Sequence, residues 1–332
     1  MDAASVSQTR NPGEPAPVID AICWGTRGSM PSPGPSTVRY GGNTPCVEVR
    51  LADGRRFIFD AGTGIRPLGV SVNNEADTGE TVIFFTHFHW DHIQGLPFFL
   101  PVYDHKASLG IIGPQQVDVN LEELFQGQMG PAYFPIPFDA LAAHKEFSHL
   151  NEGSWQQGEF RVTAMRMRHA SFTVGYRIDY GDLSLAYIPD NELANDGYDV
   201  GEGWRRRIVD FLGDVDVLLH DAMFTEDEYR FKADWGHSTF DQAVDLATEV
   251  GAKKLMFFHH DPCRTDRDSR SGHLPQHPSR SARRASRGIR QCVDPLTSPS
   301  IEVAIPGEAS ESLIRAAFTR RLLKPTDQEV GV

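Results

Sequence analysis

The run Thr81-Val82-Ile83-Phe84-Phe85-Thr86-His87-Phe88-His89-Trp90-Asp91-His92 decides how the rest of the chain is read. Its first half is β-branched and aromatic, the composition of a buried strand. Its second half places three imidazoles and a carboxylate within six positions, 87–92. In an extended or looped segment alternate side chains share a direction, so His87 and His89 can face one cation while Asp91 and His92 turn toward a second. Imidazole and carboxylate donors without thiolate suit Zn, Mn or Fe in a catalytic centre that keeps a coordination position open. A chance histidine-rich loop is a poor account of such density directly after a strand.

On the N-terminal side of this motif, short β-type runs at 19–24, 46–51, 56–60 and 81–86 are separated by Gly and Pro clusters. On the C-terminal side, helices are expected near 117–125 and 203–211, with strands at 160–167, 174–178, 183–188 and 215–220. Residues 238–250 offer Ser238 as an N-cap and Phe240, Ala243, Val244 and Ala247 at helical spacing, before a buried-type strand at 253–258. The outline is a layered α/β domain without internal repeats.

Composition narrows the function classes. The 332 residues carry 32 Lys plus Arg against 45 Asp plus Glu, a net charge of -13 that opposes broad phosphate-backbone binding and makes nucleic acid a poor default partner. No apolar run approaches the ~20 residues that span a bilayer, and 1–17 lacks the apolar core of a signal peptide. The reading is a cytoplasmic protein, free of membrane, with a flexible leader at 1–18. Cys23, Cys46, Cys263 and Cys292 form no Cys-x-x-Cys pair and read as reduced thiols. Residues 264–290 hold eight Arg and only two acids, which suggests a solvated linker or, alternatively, a basic arm for an anionic partner. An edge strand at 301–305 and a helix at 312–323 would follow.

His-x-His-x-Asp-His after a strand resembles the signature of the metallo-β-lactamase fold superfamily. Other segments resemble its ribonuclease Z and phosphodiesterase branch: Gly25 to Pro31, Gly42 to Cys46, Phe59 to Gly64, Gly95 to Pro97, Ile112 to Pro114, Phe160 to Ala164, Gly175 to Ile178, Pro189-Asp190, His220 to Ala222, Gly236-His237-Ser238-Thr239 and Phe258-His259-His260. The resemblance covers about 19–262 and implies an α/β fold, the four-layered αβ/βα sandwich. It divides the chain into a leader (1–18), a catalytic domain (19–262), an Arg/Ser-rich linker (263–300) and a C-terminal strand and helix completing the domain (301–332).

The resemblance further implies that His87, His89 and His169 bind one metal, that Asp91, His92 and His259 bind the other, and that Asp190 bridges them. The ions would be two divalent cations, Zn first, with Mn or Fe as alternatives. His259 and His260 compete for one place, and counting along the strand from Lys254 favours His259. Asp91 counts among the catalytic residues as well as the ligands. His237, in a loop well away from the ligand set, would stabilise the transition state or protonate the leaving oxygen, with Asp221 orienting it where the branch usually has Glu. A cap of a helix or loop is the alternative role for Asp221.

Other residues are read from their local setting. Asp60 ends a strand before Ala-Gly-Thr-Gly and is expected to hydrogen-bond a ligand histidine and fix its tautomer. Arg27, in the turn Gly25 to Gly28, is a weaker candidate for a substrate-phosphate contact. The aromatic stretch 126–141 is expected mainly to pack in the core, with capping of the cleft or a dimer contact as alternatives. His105, His144 and His149 receive no role.

Two divalent ions suit in-line displacement at a phosphodiester. Only 21 positions separate His169 from Asp190, too few for the long protruding arm of tRNA-processing relatives. The expected substrate is therefore a small cyclic or nucleotide-derived phosphodiester, with a homodimer expected by analogy. The alternatives are a lactone or ester hydrolase of the same superfamily, an RNA nuclease using 264–290 as a substitute arm, and a metal-dependent binding module without turnover.

Overall fold

The computed structural model describes residues 19–51, 53–73, 80–117, 119–270 and 301–303. Six strands come first: β1 (Ile19–Gly25), β2 (Cys46–Leu51), β3 (Arg56–Phe59), β4 (Glu80–Phe84), β5 (Ser108–Gly113) and β6 (His144–His149). Six more follow: β7 (Gly153–Gln157), β8 (Phe160–Arg166), β9 (Val174–Tyr180), β10 (Leu183–Ile188), β11 (Val217–Asp221) and β12 (Lys254–Phe258); β13 (Ile301–Val303) returns to pair with β1. One sheet has the order β13-β1-β2-β3-β4-β5-β6, the other β12-β11-β10-β9-β8-β7. In both, antiparallel strands give way to parallel ones, from β3 to β6 and from β10 to β12.

Alternation along the strands explains the layers. Phe57, Phe59, Val82, Phe84, Leu185, Tyr187, Met256 and Phe258 point between the sheets, where Phe57 stacks on Phe160 with ring centroids 3.8 Å apart. Their neighbours Ile58, Ile83, Ala186, Ile188, Leu255 and Phe257 face outward into two further apolar layers. Both faces of these strands are buried, hence their continuous apolar runs in sequence. The outer layers are covered by α1 (Ile65–Asn73) and α3 (Leu121–Gln128) on one side, and by α4 (Trp204–Leu212) and α6 (Phe240–Glu249) on the other. This is the expected αβ/βα sandwich. The short helices α2 (Trp90–Ile93), α5 (Glu226–Tyr229) and α7 (Asp266–Arg270) lie in connections.

Several local expectations shift. The N-cap of α6 is Thr239, which forms a capping box with Gln242; the Ser238 hydroxyl instead donates to the Asn191 carbonyl at 2.5 Å. The helix expected from 117 starts at Leu121, because Asn120 caps it reciprocally with Glu123. β6 escapes the sequence pattern because it is a polar edge strand, and α1 because it contains Pro67 and Gly69. Cys46 and Cys263 are free, in line with the reduced-thiol reading for those two, and Cys292 lies outside the described residues.

The start of the expected linker packs on the domain: Arg264 pairs with Glu228 at 2.6 Å, and the Asp266 carboxylate accepts the amides of Arg39 and Tyr40. The leader, residues 271–300 and the helix at 312–323 lie outside the described residues. Among the described residues no helix is long and apolar enough to cross a membrane.

Candidate metal centre

The C-terminal ends of the parallel strands converge at one edge of the sandwich, the usual position for ligands of open α/β sheets. β3 delivers Asp60, β4 the motif 86–92, β10 Asp190, β11 Asp221 and β12 His259, while His169 follows β8. Loops at strand ends can turn side chains inward without breaking a ladder. Asp60 and His259 do so with positive φ, 61° and 57°.

All seven expected ligands meet there. His87, His89, His169 and Asp190 form one group, and Asp91, His92 and His259 a second. The two oxygens of Asp190 divide between them. Oδ2 lies 3.4 Å from His87 Nε2 and 3.5 Å from His169 Nε2, while Oδ1 lies 3.3 Å from both His92 Nε2 and His259 Nε2. Asp91 Oδ2 is 3.2 Å from His259 Nε2 and 3.4 Å from His92 Nε2. His87 Nε2, His92 Nε2 and Asp190 Oδ1 are buried without a hydrogen-bond partner, although they point toward one another. Buried polar atoms are rarely left so. Donors converging without hydrogen-bond geometry fit a shared cation, and the imidazole-carboxylate set fits a divalent one.

The electrostatics of His87, His169, Asp91 and Asp190 agree with that fit. Burial holds His87 well below its ordinary pKa, and burial with neighbouring imidazoles brings His169 down to about 4, so both rings are neutral and able to ligate. Burial alone would raise Asp91 and Asp190, but the surrounding histidines outweigh it and hold both carboxyl groups well below the usual range. For His92 burial opposes the charge, and Asp91, Asp190 and Asp60 overcome it and raise the ring.

A further layer of contacts aims the rings. Asp60 accepts from His92 Nδ1 at 2.8 Å, from Tyr187 Oη at 2.9 Å and from the Thr86 amide at 2.8 Å, the role read for it from sequence. His169 Nδ1 donates to the Gly236 carbonyl at 2.9 Å, and the Ser29 amide donates to Asp91 at 2.8 Å. A methyl group on Gly236 would sit 2.1 Å from His169 Nδ1, and one on Gly28 would sit 2.4 Å from His259 Nδ1. These two glycines make room for the rings.

His237, far from the ligands in sequence, is beside them in space. Its ring stacks on His259 at 4.6 Å, and it groups with Asp190 and His259. Asp221 Oδ2 accepts from its Nδ1 at 2.7 Å, and Asp221 also accepts the amides of Asn191 and Met223. The shorter acid reaches because it is the last residue of β11. Burial would depress His237, but Asp221 dominates and the ring is pushed up to about 9.

Arg27 departs from expectation: its guanidinium donates to the carbonyls of Gly41, Asp261 and Arg264 and ties loops together. His260 is buried outside the cluster, next to Tyr40, and takes no part in it. In the aromatic stretch Phe138 is core, whereas Tyr133 and Ile136 are exposed. Sequence reasoning passed over Glu192, which is fully buried and accepts from Tyr198 Oη, Tyr229 Oη, and the amides of Asp234 and Gly236 at 2.6–2.9 Å. A single acid two places after Asp190 carries no spacing signal; its closeness to Asp190 in sequence was the only hint.

The family model of the β-lactamase superfamily domain matches residues 55–260, from the β2–β3 connection to just past His259. The chain belongs to the β-lactamase superfamily. It is a metal-dependent hydrolase of that superfamily's fold. A ribonuclease Z of Limosilactobacillus fermentum is 28% identical over 271 residues, covering 65% of this chain and 82% of that protein. Among solved structures, a diphosphatase of the PhnP family superposes with TM-score 0.61 at 18% identity, over 87% of this chain and 98% of that one. The short form of human tRNase Z does so with TM-score 0.54 at 23% identity, over 73% and 93%.

Proposed function

We propose that the chain is a dinuclear phosphodiesterase acting on a small cyclic or nucleotide-derived phosphodiester. The observation that carries this reading is Asp190, whose two oxygens face separate histidine sets. In it, His87, His89 and His169 would hold one divalent ion and Asp91, His92 and His259 the second, with Asp190 facing both sets. Two such ions supply Lewis acidity, activation of water and neutralisation of phosphoryl charge. His237, with Nδ1 committed to Asp221, presents Nε2 to the leaving oxygen and donates its proton there. The Asp221 carboxylate at Nδ1 favours the protonated ring.

Support for a small substrate comes from the chain between His169 and Asp190, which is spent on β9 and β10 and leaves no room for a long arm. A second reading, cleavage of RNA, is favoured by the name ribonuclease Z carried by the relative from L. fermentum. Hydrolysis of bis(p-nitrophenyl) phosphate by metal-reconstituted wild type and Asp190→Ala, with bound metal counted in both, tests the proposal. Turnover that collapses with Asp190→Ala supports it. No turnover with two metals bound overturns it, and cleavage of a tRNA precursor but of no small diester moves the assignment to RNA.

A further inference from the structure

The candidate centre is buried on all sides but one. Of the residues in the two metal groups, His89 alone is exposed. His89 Nδ1 lies 3.1 Å from His169 Nε2, and the other nitrogen of His169 donates to the Gly236 carbonyl. Two of the residues that touch His169 are each next to a tryptophan in sequence: Trp90 follows His89, and Trp235 precedes Gly236. Both tryptophans are exposed, at 58% and 60%.

Scattered exposed apolar side chains are ordinary on a protein surface. These two differ in being mounted on backbone that is held from several directions. Trp90 is the first residue of α2, whose next two residues, Asp91 and His92, are buried in the centre. The Trp235 amide donates to the Lys232 carbonyl, and the next amide, that of Gly236, donates to buried Glu192 at 2.8 Å. Glu192 also accepts from Tyr229 Oη and the Asp234 amide, so the whole 229–236 loop is tied to the turn that carries Asp190. The Lys232 ammonium, paired with Asp261 at 3.0 Å, lies 5.8 Å from the Trp235 ring centroid and 4.4 Å from that of Phe224, which packs edge-on against His237. A large, exposed apolar ring carried on a fixed loop loses little further freedom when a planar group stacks on it.

We propose that Trp90 and Trp235 form an aromatic rim at the His89 side of the centre, and that this rim receives a nucleobase borne by the phosphodiester. The proposal rests on the phosphodiesterase reading above and adds the substrate class to it: a nucleotide diester over an alkyl one. Base stacking tolerates any base because each has a π-face, so the rim selects for an aromatic ring and not for sequence.

The test uses two esters with the same leaving group, thymidine 5′-(p-nitrophenyl phosphate) and ethyl p-nitrophenyl phosphate, so the bond broken is the same and only the nucleoside differs. Metal-loaded wild type should show the lower KM for the thymidine ester. Trp235→Ala and Trp90→Ala should each shift the KM ratio of the two esters toward the ethyl ester by about tenfold, the loss expected for one stacked base. Trp235→Phe should restore most of the ratio, and bound metal should match wild type in all three variants. Hydrolysis of both esters with the ratio unmoved in both alanine variants overturns the rim alone. So does a wild-type dimer that Trp235→Ala converts to a monomer with the ratio unmoved, since the ring would then serve a second copy of the chain. Hydrolysis of neither ester overturns the rim together with the phosphodiesterase reading.

Discussion

The two halves of the candidate centre are built in different ways. His87, His89, Asp91 and His92 arrive together on one loop after β4, whereas His169, Asp190, His237 and His259 come from four separate strand ends or loops. The contiguous half is oriented by local chain geometry plus one buried acid, Asp60. The dispersed half exists only when β8, β10, β11 and β12 are assembled in the second sheet. It also holds the residue that touches both groups, so a centre with a local half and a folded half has its weakest point in the folded one.

The sharpest way to break that comparison is to remove Asp190. Asp190→Ala should lose both ions and roughly 10³-fold or more in turnover, while His89→Ala, at the exposed margin, should weaken one ion only; metal counting by atomic emission separates the two. Equal metal loss in both variants would erase the distinction. Next in size, His237→Ala should lower kcat by about 10²- to 10⁴-fold while both metals stay bound, since its place is at the leaving oxygen. Loss of metal in this variant would make His237 a ligand instead, which its proximity to Asp190 and His259 allows sterically.

On the contiguous side, Asp60→Asn should weaken metal affinity by about 10- to 100-fold without unfolding the protein, because the amide keeps the shape but loses charge beside His92. A chelator-competition titration reads that number. The smallest effect concerns His237 in chelator-treated protein. Its folded pKa of about 9 lies above the ordinary 6.5, so the ion pair with Asp221 contributes fully below pH 6.5 and its contribution fades as pH rises through 9. Thermal melts of metal-free wild type should lose stability across that window. Asp221→Asn should flatten the dependence, and parallel curves would remove the pair from the account.

How much of this could be read from sequence follows the same division. The motif was legible because its donors are adjacent, and Asp60 because a strand-ending acid before glycines has few other uses. The preference for His259 over His260 followed from strand parity. By contrast, Glu192 is one acid in a polar loop, and only the fold shows four donors closing on it. Arg27 looked available for phosphate because a sequence shows the charge and not the three carbonyls that occupy it. β6 and α1 were missed because an edge strand needs no apolar alternation and tertiary packing tolerates Pro and Gly within a helix.

Sequence alone determined the chemistry: which side chains are present, that they are imidazoles and carboxylates in place of thiolates, and that strands buried on both faces surround them. These are properties of residue type and short-range order. Only the tertiary structure decided that Asp190 turns one oxygen to each histidine set, that His237 lies against His259, and that His89 and Gly236, the sequence neighbours of two exposed tryptophans, both touch His169. Those relations join residues far apart in the chain, and they arise from the assembly of strands within and between the two sheets, which no local pattern encodes.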